Sequence, residues 1–513
     1  MSAQVDPERS EWDVIVIGGG AAGENAAQYA TQFSGLQAVI VEGGLLGGEC
    51  SYWACMPSKA LLRPVEVLDT ARNLPGMAAL VGTDGLDVDA VLARRDEVVH
   101  HLDDESQIQW ALGVGIDVIR GHARLQGERT VAVGVDDGST RVITARHAVV
   151  LATGSTASVP SIPGLAAAAP WTSRDVTNIH EIPRRILVIG GGVVACESAT
   201  WLSGLGVEEV TIVEGGPRLL GRTEPFAGEL VADSLRARGL TVALETRVES
   251  VGERELTPAP VGEPAGPGGR VGRSRGGQVT VRLSGGTSVI VDEIVVAAGR
   301  TPNTADVGIE SVGLRHADLP HGYLTVDDQL RVRGVDDDWL YAVGDLDGRA
   351  LLTHMGKYQG RIAGKVIAAR AAGTTLDTGS YSPHDAAAGH AAVPQVTFTD
   401  PEVGSAGMTE EQARAAGMDV ETAEYDMAAL AGTYVLRDNY RGRAKLVLDR
   451  ATDTLVGVTF VGTGVAELVH SATTAIVAKT PVRALWHVVP SYPTASEIWL
   501  RLLETLQQQR QSA

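Results

Sequence analysis

Long apolar runs, cysteines and positive charge are all scarce in this chain of 513 residues. No run of 18 apolar residues occurs and the first eleven residues have no apolar stretch, so neither an integral membrane segment nor a secretory signal is expected. Three cysteines are too few for a disulfide-stapled extracellular protein. They fit a reducing cytoplasm, which is the expected location.

The excess of negative charge excludes further classes of partner. The formal net charge is −20 and the isoelectric point is about 5.0, which argues against nucleic acid or an anionic membrane as the main partner. Hydrophobic residues make up 44% and charged residues 21%, as in ordinary globular proteins, and the length predicts about two to four domains. The 61 glycines predict many tight turns or close approaches of backbone to a ligand.

Two of the three cysteines lie together in the segment GGECSYWACMPSKA, residues 47–60. Pro57 suits the first turn of a helix because its missing N–H would be unpaired there anyway. Cys55 is therefore expected near a helix N-terminus, where partial positive charge favours a thiolate, and Lys59 would act in the same direction. The pattern predicts that Cys50 and Cys55 form a redox-active pair, cycling between dithiol and disulfide.

Two other interpretations of this pair are open at this point. The cysteines could be two small buried hydrophobic residues, or they could be half of a metal site. A closed zinc site needs four ligands and the chain has no second cysteine pair, so no metal is assigned.

A dinucleotide-binding pattern opens the chain. It consists of a strand at 12–17, the glycines Gly18, Gly20 and Gly23, a helix at 24–32, a strand at 37–41 and the acid Glu42. Gly18 allows the turn, Gly20 lets the backbone approach a pyrophosphate, and Gly23 lets the helix pack on the strand. The helix N-terminus binds phosphates, and Glu42 can accept hydrogen bonds from ribose hydroxyls. We therefore predict a dinucleotide site here.

The fingerprint and the cysteine segment together resemble the opening of the FAD-dependent pyridine nucleotide–disulfide oxidoreductases, the family of dihydrolipoamide dehydrogenase, glutathione reductase and mercuric reductase. That family continues from its FAD fingerprint to G-G-x-C-x-x-x-x-C-x-P-S-K, present here as GGECSYWACMPSK. The resemblance implies FAD as cofactor, Cys55 as the charge-transfer thiolate facing the flavin, and Cys50 as the interchange thiol that meets substrate. It also places Lys59 near the flavin N5 and pairs it with Glu197.

A second fingerprint implies a second dinucleotide. It consists of a strand at 185–189, Gly190 and Gly192, Ala195 in place of the third glycine, a helix to residue 205, a strand at 210–213 and Glu214. By resemblance this site binds NAD(P)H. Glu214 would repel a 2′-phosphate, so NADH is favoured, while Arg218 and Arg222 keep NADPH open.

Further segments match the places where the family binds FAD. Asp345 follows a strand and a glycine, and it is the candidate to accept a hydrogen bond from the flavin ribityl chain. Beyond the fingerprints, the cofactor-binding residues implied by the resemblance are Lys59 and Glu197 together with Gly48, Ala123, Thr153, Gly154, Ser155, Val248, Gly299, Asp345, Leu352 and Thr353.

The resemblance implies an α/β fold with two Rossmann-like dinucleotide-binding domains, for FAD and NAD(P), and a C-terminal α+β dimerisation domain. The implied boundaries are a polar tail over 1–11, an FAD-binding domain over 12–160 and 291–370, an NAD(P)-binding domain over 161–290, and a dimerisation domain over 391–503. The segment 256–278, rich in Pro, Gly and Arg, predicts a flexible surface loop. Residues 64–110 are predicted to be helical, most clearly over 88–104, and residues 116–150 to form strands with a turn at 136–138.

The C-terminal segment departs from the family pattern. Relatives have H-P-T-x-x-E there, with histidine as acid/base toward substrate thiols and glutamate orienting it, and the segment completes the partner's active site in a homodimer. Here it is YPTASE, from Tyr492 to Glu497. These two are the candidate catalytic residues of the segment, but a tyrosine with an unperturbed pKa near 10 is a poor proton shuttle at neutral pH.

We expect a flavin-dependent oxidoreductase that passes hydride from NAD(P)H through FAD and the Cys50–Cys55 disulfide to a disulfide, a quinone or another small-molecule acceptor. Strong NADH-dependent reduction of quinones or dyes and weak lipoamide activity are predicted, because only thiol–disulfide exchange needs the proton of the missing histidine. The alternatives are a dihydrolipoamide dehydrogenase proper, a soluble transhydrogenase-like activity, and a non-enzymatic flavoprotein acting as a binding or sensor subunit.

Overall fold

The computed structural model describes residue 6 and residues 8–135, 138–257 and 271–512. The chain divides into two compact units. The first consists of the residues up to Met56 with Asp96–Thr156 and Arg300–His390, and the second consists of Pro57–Arg95, Ala157–Gly299 and the residues from Ala391 onward. The domain boundaries expected from the sequence stay predictions.

The first unit is built on a sheet of seven strands. In spatial order these are Ile116–Arg120, Ala38–Glu42, Glu11–Ile17, Thr140–Leu151, Thr130–Gly134 and His122–Leu125, with Leu340–Ala342 paired to Thr140–Leu151. Thr130–Gly134 pairs antiparallel with both Thr140–Leu151 and His122–Leu125, and the other pairings are parallel. The parallel strands are apolar along their whole length because both sheet faces are covered, so Val14 and Ile15 are fully buried.

The described part of the second unit contains three sheets. A parallel sheet has the order Thr241–Ala243, Glu209–Val213, Arg185–Ile189, Glu293–Val296. An antiparallel sheet has the order Val248–Val251, Val279–Leu283, Ser288–Val291. A second antiparallel sheet has the order Pro394–Thr397, Glu402–Gly407, Thr454–Gly462, Arg443–Asp449, Val420–Asp426. A short two-stranded pairing of Ser155–Ala157 with Arg300–Pro302 belongs almost entirely to the first unit.

Helices connect and cover these strands. The α-helices are Ala21–Thr31, Gly48–Tyr52, Cys55–Arg72, Ala78–Val81, Val88–Val98, Glu105–Gly113, Ser173–Thr177, Val193–Gly204, Pro225–Ala237, Thr353–Ala371, Ala388–Ala391, Glu410–Ala415, Ala431–Leu436, Leu468–Val477, Val482–Leu485 and Ile498–Ser512. The 3₁₀ turns are His100–Leu102, Ile309–Val312, His316–Asp318, Pro320–Gly322, Gly344–Asp347, Met427–Ala429 and Ala495–Glu497. In the part of the chain described, none of the helices has the length and apolarity needed to cross a membrane.

The predicted α/β class is confirmed, and each fingerprint forms the strand, turn, helix and strand expected from its sequence. One helix is shorter than predicted. The helix expected over 88–104 ends at Val98, because His100, His101 and Leu102 take left-handed backbone angles, with φ of 51°, 52° and 62°. Such angles cannot continue a right-handed helix.

The segment 256–278, predicted as a flexible loop, makes buried contacts near its C-terminal end. Residues 258–270 lie outside the described residues, as do residues 136 and 137 of the predicted turn. Arg275, however, is buried and ion-paired with Asp175 (2.5 Å), and its backbone N–H donates to the Glu293 carboxylate (2.7 Å). The flexible loop over 256–278 stays a prediction, and the structure adds that one of its arginines binds buried carboxylates near its C-terminal end.

Candidate active site

The cysteine pair lies at the junction of two helices. Cys50 is in the short helix Gly48–Tyr52, and Cys55 is the first residue of the helix Cys55–Arg72. Neither cysteine is in a disulfide, and both are half-buried. The Cys55 Sγ lies 3.3 Å from the Thr353 hydroxyl oxygen. The sequence-based placement of Cys55 at a helix N-terminus is confirmed, and Thr353 adds a polar partner there.

The two thiols differ in their electrostatic surroundings. The hydrogen bond with Cys55 and then burial raise the pKa of Cys50 well above its ordinary range, while the Thr353 hydroxyl and the charge of Lys357 lower it. Negative charge is favoured at Cys55 by the helix N-terminus. The reduced pair is therefore suited to hold one thiolate, on Cys55, with Cys50 as the protonated partner that donates to it.

The first fingerprint forms a tight turn that admits only glycine at two of its positions, Gly18 and Gly23. Gly18 has a φ of 101°, and a methyl group there would lie 2.4 Å from the carbonyl oxygen of Ala152. A methyl group at Gly23 would lie 2.0 Å from the Gly18 carbonyl oxygen. Glu42, at the end of its strand, accepts from the backbone N–H of Gly19 at 2.6 Å. The turn, helix N-terminus and acid fit the pyrophosphate and ribose of a dinucleotide.

A second set of predicted flavin residues also gathers in the first unit. Ser155 donates to the Asp345 carboxylate (2.5 Å), and Arg300 donates to the Ser155 hydroxyl (2.6 Å). Arg300 also lies 3.6 Å from Asp345 and 4.0 Å from Glu49, the residue before Cys50. The carboxylate of Asp345 is thus fixed in place, in the same unit as the cysteine pair. These residues fit FAD, which would supply the two-electron acceptor for hydride when bound.

The predicted pairing of Lys59 with Glu197 is confirmed in the second unit. The Lys59 ammonium donates to Glu197 at 2.9 Å. The other Glu197 oxygen accepts from the backbone N–H of Phe398 at 2.9 Å, and Lys59 lies 4.7 Å from the Phe398 ring centroid. Phe398 was missed by the sequence analysis, since nothing in the sequence links it to a helix 200 residues earlier.

The second fingerprint repeats the features of the first. Gly190 has a φ of 110°, and a methyl group there would lie 2.5 Å from the Ala297 carbonyl oxygen. Glu214 accepts from the backbone N–H of Gly216 at 2.6 Å. Arg218 is engaged elsewhere, since it donates to the Gly221 carbonyl (3.2 Å) and lies 3.5 Å from Glu411. This leaves Glu214 as the acid at the ribose position.

The other predicted cofactor residues occupy strand ends, turns and helix starts. Ala123 and Val248 are buried in strands, and Leu352 directly precedes the helix that Thr353 begins. Left-handed glycines that allow sharp turns are Gly48, Gly154 and Gly299. Thr153 donates to the Asn303 carbonyl at 2.9 Å. Across the described residues, no group of three or more His, Cys, Asp or Glu side chains is arranged to hold a metal ion.

Within one chain, no hydrogen bond links the Tyr492 side chain to the Glu497 carboxylate. The Tyr492 side chain is 76% exposed. Glu497 is buried and pairs with Arg501 at 2.5 Å. The carboxylate that would orient a histidine in the family is thus held by an arginine, and the tyrosine faces outward.

The exposed tyrosine belongs to a largely apolar surface of the second unit. Val489 is 84% exposed and Tyr434 is 78% exposed, and Val488 and Val435 are exposed as well. The two segments are adjacent, because a methyl group on Gly432 would lie 2.3 Å from the Thr494 backbone. Exposed apolar surface of this kind marks an interaction site.

Comparisons with known proteins agree with this geometry. The family model for pyridine nucleotide-disulphide oxidoreductases matches residues 12–369. The model for the dimerisation domain of the same family matches residues 393–502. The chain is 30% identical over 497 residues to a dihydrolipoyl dehydrogenase of Chlorobaculum tepidum, covering 96% of this chain and 97% of the relative. It is 28% identical over 488 residues to a mercuric reductase of Staphylococcus aureus, covering 95% and 81%.

A solved structure extends the likeness to the fold. The HOCl-induced flavoprotein disulfide reductase RclA of Escherichia coli, solved as a Cu(II) complex, superposes with a TM-score of 0.77. The two chains are 25% identical, and the match covers 97% of this chain and 99% of the other.

Proposed function

The chain belongs to the pyridine nucleotide-disulphide oxidoreductase family, and we propose that its Cys50–Cys55 pair passes electrons to a small-molecule acceptor. The family is FAD-dependent and takes its electrons from NAD(P)H. The dimerisation domain supports a homodimer. The chain has three cysteines, and Cys50 and Cys55 form the proposed redox pair. Such a chain suits the reducing cytoplasm.

The main support for this proposal is that the Cys50 and Cys55 thiols have different surroundings. Cys55 combines a helix N-terminus with the Thr353 hydroxyl at 3.3 Å, so it suits a stable thiolate beside the flavin cradle of the same unit. Cys50 lies in the neighbouring short helix and is half-buried, so it suits the thiol that contacts an acceptor. Two buried hydrophobic cysteines would need neither arrangement.

The thiol chemistry balances without any further reagent when the acceptor is a disulfide. Cys50 gives up its proton and attacks one acceptor sulfur, forming a mixed disulfide and releasing the first acceptor thiol. The Cys55 thiolate then attacks the Cys50 sulfur, which closes the intramolecular disulfide and releases the second thiol. FAD, when bound, would supply the two electrons from NAD(P)H that restore the dithiol. The sum is NAD(P)H, one proton and a disulfide giving NAD(P)⁺ and two thiols.

We further propose that NADH and acceptors needing no proton shuttle are used best. Glu214 disfavours a 2′-phosphate, since Arg218 is bound to other groups. Tyr492 replaces the family's shuttle histidine and is exposed, so alkyl disulfides such as lipoamide lack the proton donor for their departing thiol. Quinones and dyes do not need it. The activity is therefore closer to a quinone or dye reductase than to a lipoamide dehydrogenase.

An acceptor panel tests this assignment. The holoenzyme is assayed with NADH and NADPH in parallel against lipoamide, glutathione disulfide, a quinone, a dye and Cu(II), the last because a relative of known structure binds it. We expect rapid quinone or dye reduction with NADH and slow lipoamide turnover. Efficient lipoamide turnover that is lost in Tyr492→Phe would contradict the proposal, and so would absence of turnover with every acceptor.

A further inference from the structure

A row of positive charges leads away from the cysteine pair along one helix. The helix Thr353–Ala371 begins with the residue whose hydroxyl contacts Cys55. Lys357, Arg361 and Lys365 follow at intervals of four, so they share one face of this helix with Thr353. We name Lys357, Arg361 and Lys365 the basic stripe. The chain contains only five lysines, and two of them are in this stripe.

The stripe differs from the many cations of this acidic protein that are ion-paired with carboxylates. The chain has 63 acidic and 43 basic residues, and many arginines are ion-paired. Across the residues that the structure describes, no carboxylate lies within 4.0 Å of the charged group of any stripe residue. Two of the stripe residues lie over aromatic rings: Arg361 is 5.8 Å from the Tyr358 centroid and Lys365 is 5.6 Å from the Tyr29 centroid.

The acids that face the stripe offset it only in part. The helix Ala21–Thr31 packs against this helix, and its Glu24 is the carboxyl group that acts on Lys357. Burial raises the pKa of Glu24 to about 7, against the opposing charge of Lys357 and with a smaller contribution from Glu42, so this acid is partly protonated at neutral pH. Lys357 in turn lowers the pKa of Cys50. The charge at the end of the stripe nearest the cysteine pair, that of Lys357, thus acts on the thiol that meets the acceptor.

We propose that the basic stripe is a docking track for anionic acceptors, small molecules that carry a carboxylate, sulfonate or phosphate beside their reducible group. The stripe binds the anionic group while the reducible group reaches Cys50. This assigns a substrate class to the site, and it rests on the proposed function. Without such a track the net charge of −20 would repel an anion from the whole molecule.

Two disulfides that differ in charge test the proposal. The dianion 5,5′-dithiobis(2-nitrobenzoate) and the uncharged 2,2′-dithiodipyridine both release thiols that leave without a shuttled proton. The NADH-reduced holoenzyme is compared with the double variant Lys357→Gln, Arg361→Gln. We expect the ratio of kcat/KM for the dianion to that for the neutral disulfide to fall about tenfold at low ionic strength, mainly through KM, and less in high salt.

Matched control variants distinguish an effect of the basic stripe from an effect of the overall charge or of misfolding. Arg333→Gln removes one charge from an exposed arginine of the same unit and should leave the ratio unchanged. Lys357→Arg should preserve it. Binding of the redox-inert dianion naphthalene-1,5-disulfonate to the oxidised holoenzyme, measured by calorimetry, gives a second readout that needs no turnover. It should weaken about tenfold in the double variant.

The outcomes distinguish this proposal from the one on which it rests. An unchanged acceptor ratio together with unchanged disulfonate binding would overturn the docking track, even if both disulfides are reduced. Failure of the wild-type enzyme to reduce any acceptor would instead contradict the proposed function, and disulfonate binding would still decide whether the stripe holds anions.

Discussion

Cys50 and Cys55 lie in one segment but have different neighbours. Cys55 has a helix N-terminus and the Thr353 hydroxyl at 3.3 Å, both of which stabilise negative charge. Cys50 has Cys55 itself and partial burial, which raise its pKa, and the more distant charge of Lys357, which lowers it. An acceptor that binds near Lys357 would therefore meet the thiol whose deprotonation Lys357 assists.

Glu24 is the titratable residue with the clearest consequence for stability. Burial raises its pKa from 4.5 to about 7 in the folded protein. Because the folded state holds this proton more tightly than the unfolded state, stability falls as the pH rises from 4.5 to about 7 and stays lowered above it. The loss is on the order of 3 kcal/mol at most.

Glu24→Gln removes this buried ionisable group. We expect it to raise the Tm of the holoprotein at pH 8 clearly more than at pH 5, as measured by scanning calorimetry, because wild-type Glu24 is charged only at the higher pH. The exposed Glu253→Gln should change both values little. An equal shift at the two pH values would contradict the assignment.

At the scale of elements, two helices meet through glycines beside the flavin cradle. A methyl group at Gly360 would lie 2.3 Å from the Ala22 carbonyl oxygen, and one at Gly364 would lie 2.7 Å from that of Ala26. Only glycine allows the backbones to approach this closely. The contact holds Thr353 at the start of the same helix in position beside Cys55.

Gly360→Ala should force these two helices apart. We expect a loss of about 1–3 kcal/mol in the free energy of unfolding, as for other overpacked sites, together with faster release of FAD. Denaturant unfolding and flavin fluorescence measure the two effects. Gly113→Ala is the matched control, since a methyl group there meets nothing within 4 Å. Equal effects of the two variants would show that close packing at Gly360 is unimportant.

Local patterns in the sequence predicted the helices and strands well. They could not predict contacts between residues that are far apart in the chain. The strand Arg185–Ile189 and the glycine turns follow from apolar runs and backbone sterics, which neighbouring residues decide. Thr353 meets Cys55 across 298 positions, and Phe398 meets Glu197 across 201, so no local pattern reports them. The four-residue spacing between Thr353 and Lys357 could be read from the sequence, and it places both residues on one face of a helix. Only the contact between Thr353 and Cys55 shows that this face begins at the cysteine pair.

At the scale of the whole molecule, the exposed apolar surface near the C-terminus is the expected dimer face. Val489, Val488 and Tyr434 are largely exposed in one chain, and the dimerisation domain spans all three. A homodimer would cover them, since apolar surface buried between subunits drives association. Tyr492 lies in the same segment, so assembly would decide what surrounds its hydroxyl.

Val489→Asp should weaken the dimer by burying an unpaired charge. We expect a shift toward the mass of the monomer in light scattering, with a parallel loss of acceptor reduction if the partner completes the site. Leu80→Asp changes an equally exposed apolar residue elsewhere in the chain and should stay dimeric. A Val489→Asp protein that remains fully dimeric would contradict the position of the interface.

An anaerobic reductive titration tests the redox role of the cysteine pair most directly. If Cys50 and Cys55 form a disulfide that takes electrons from the flavin, the oxidised holoenzyme should take up four electrons per FAD, two for the flavin and two for the disulfide. Cys50→Ser, which cannot form the disulfide, should take up two. A wild-type enzyme that also takes up only two electrons would show that the pair does not take part.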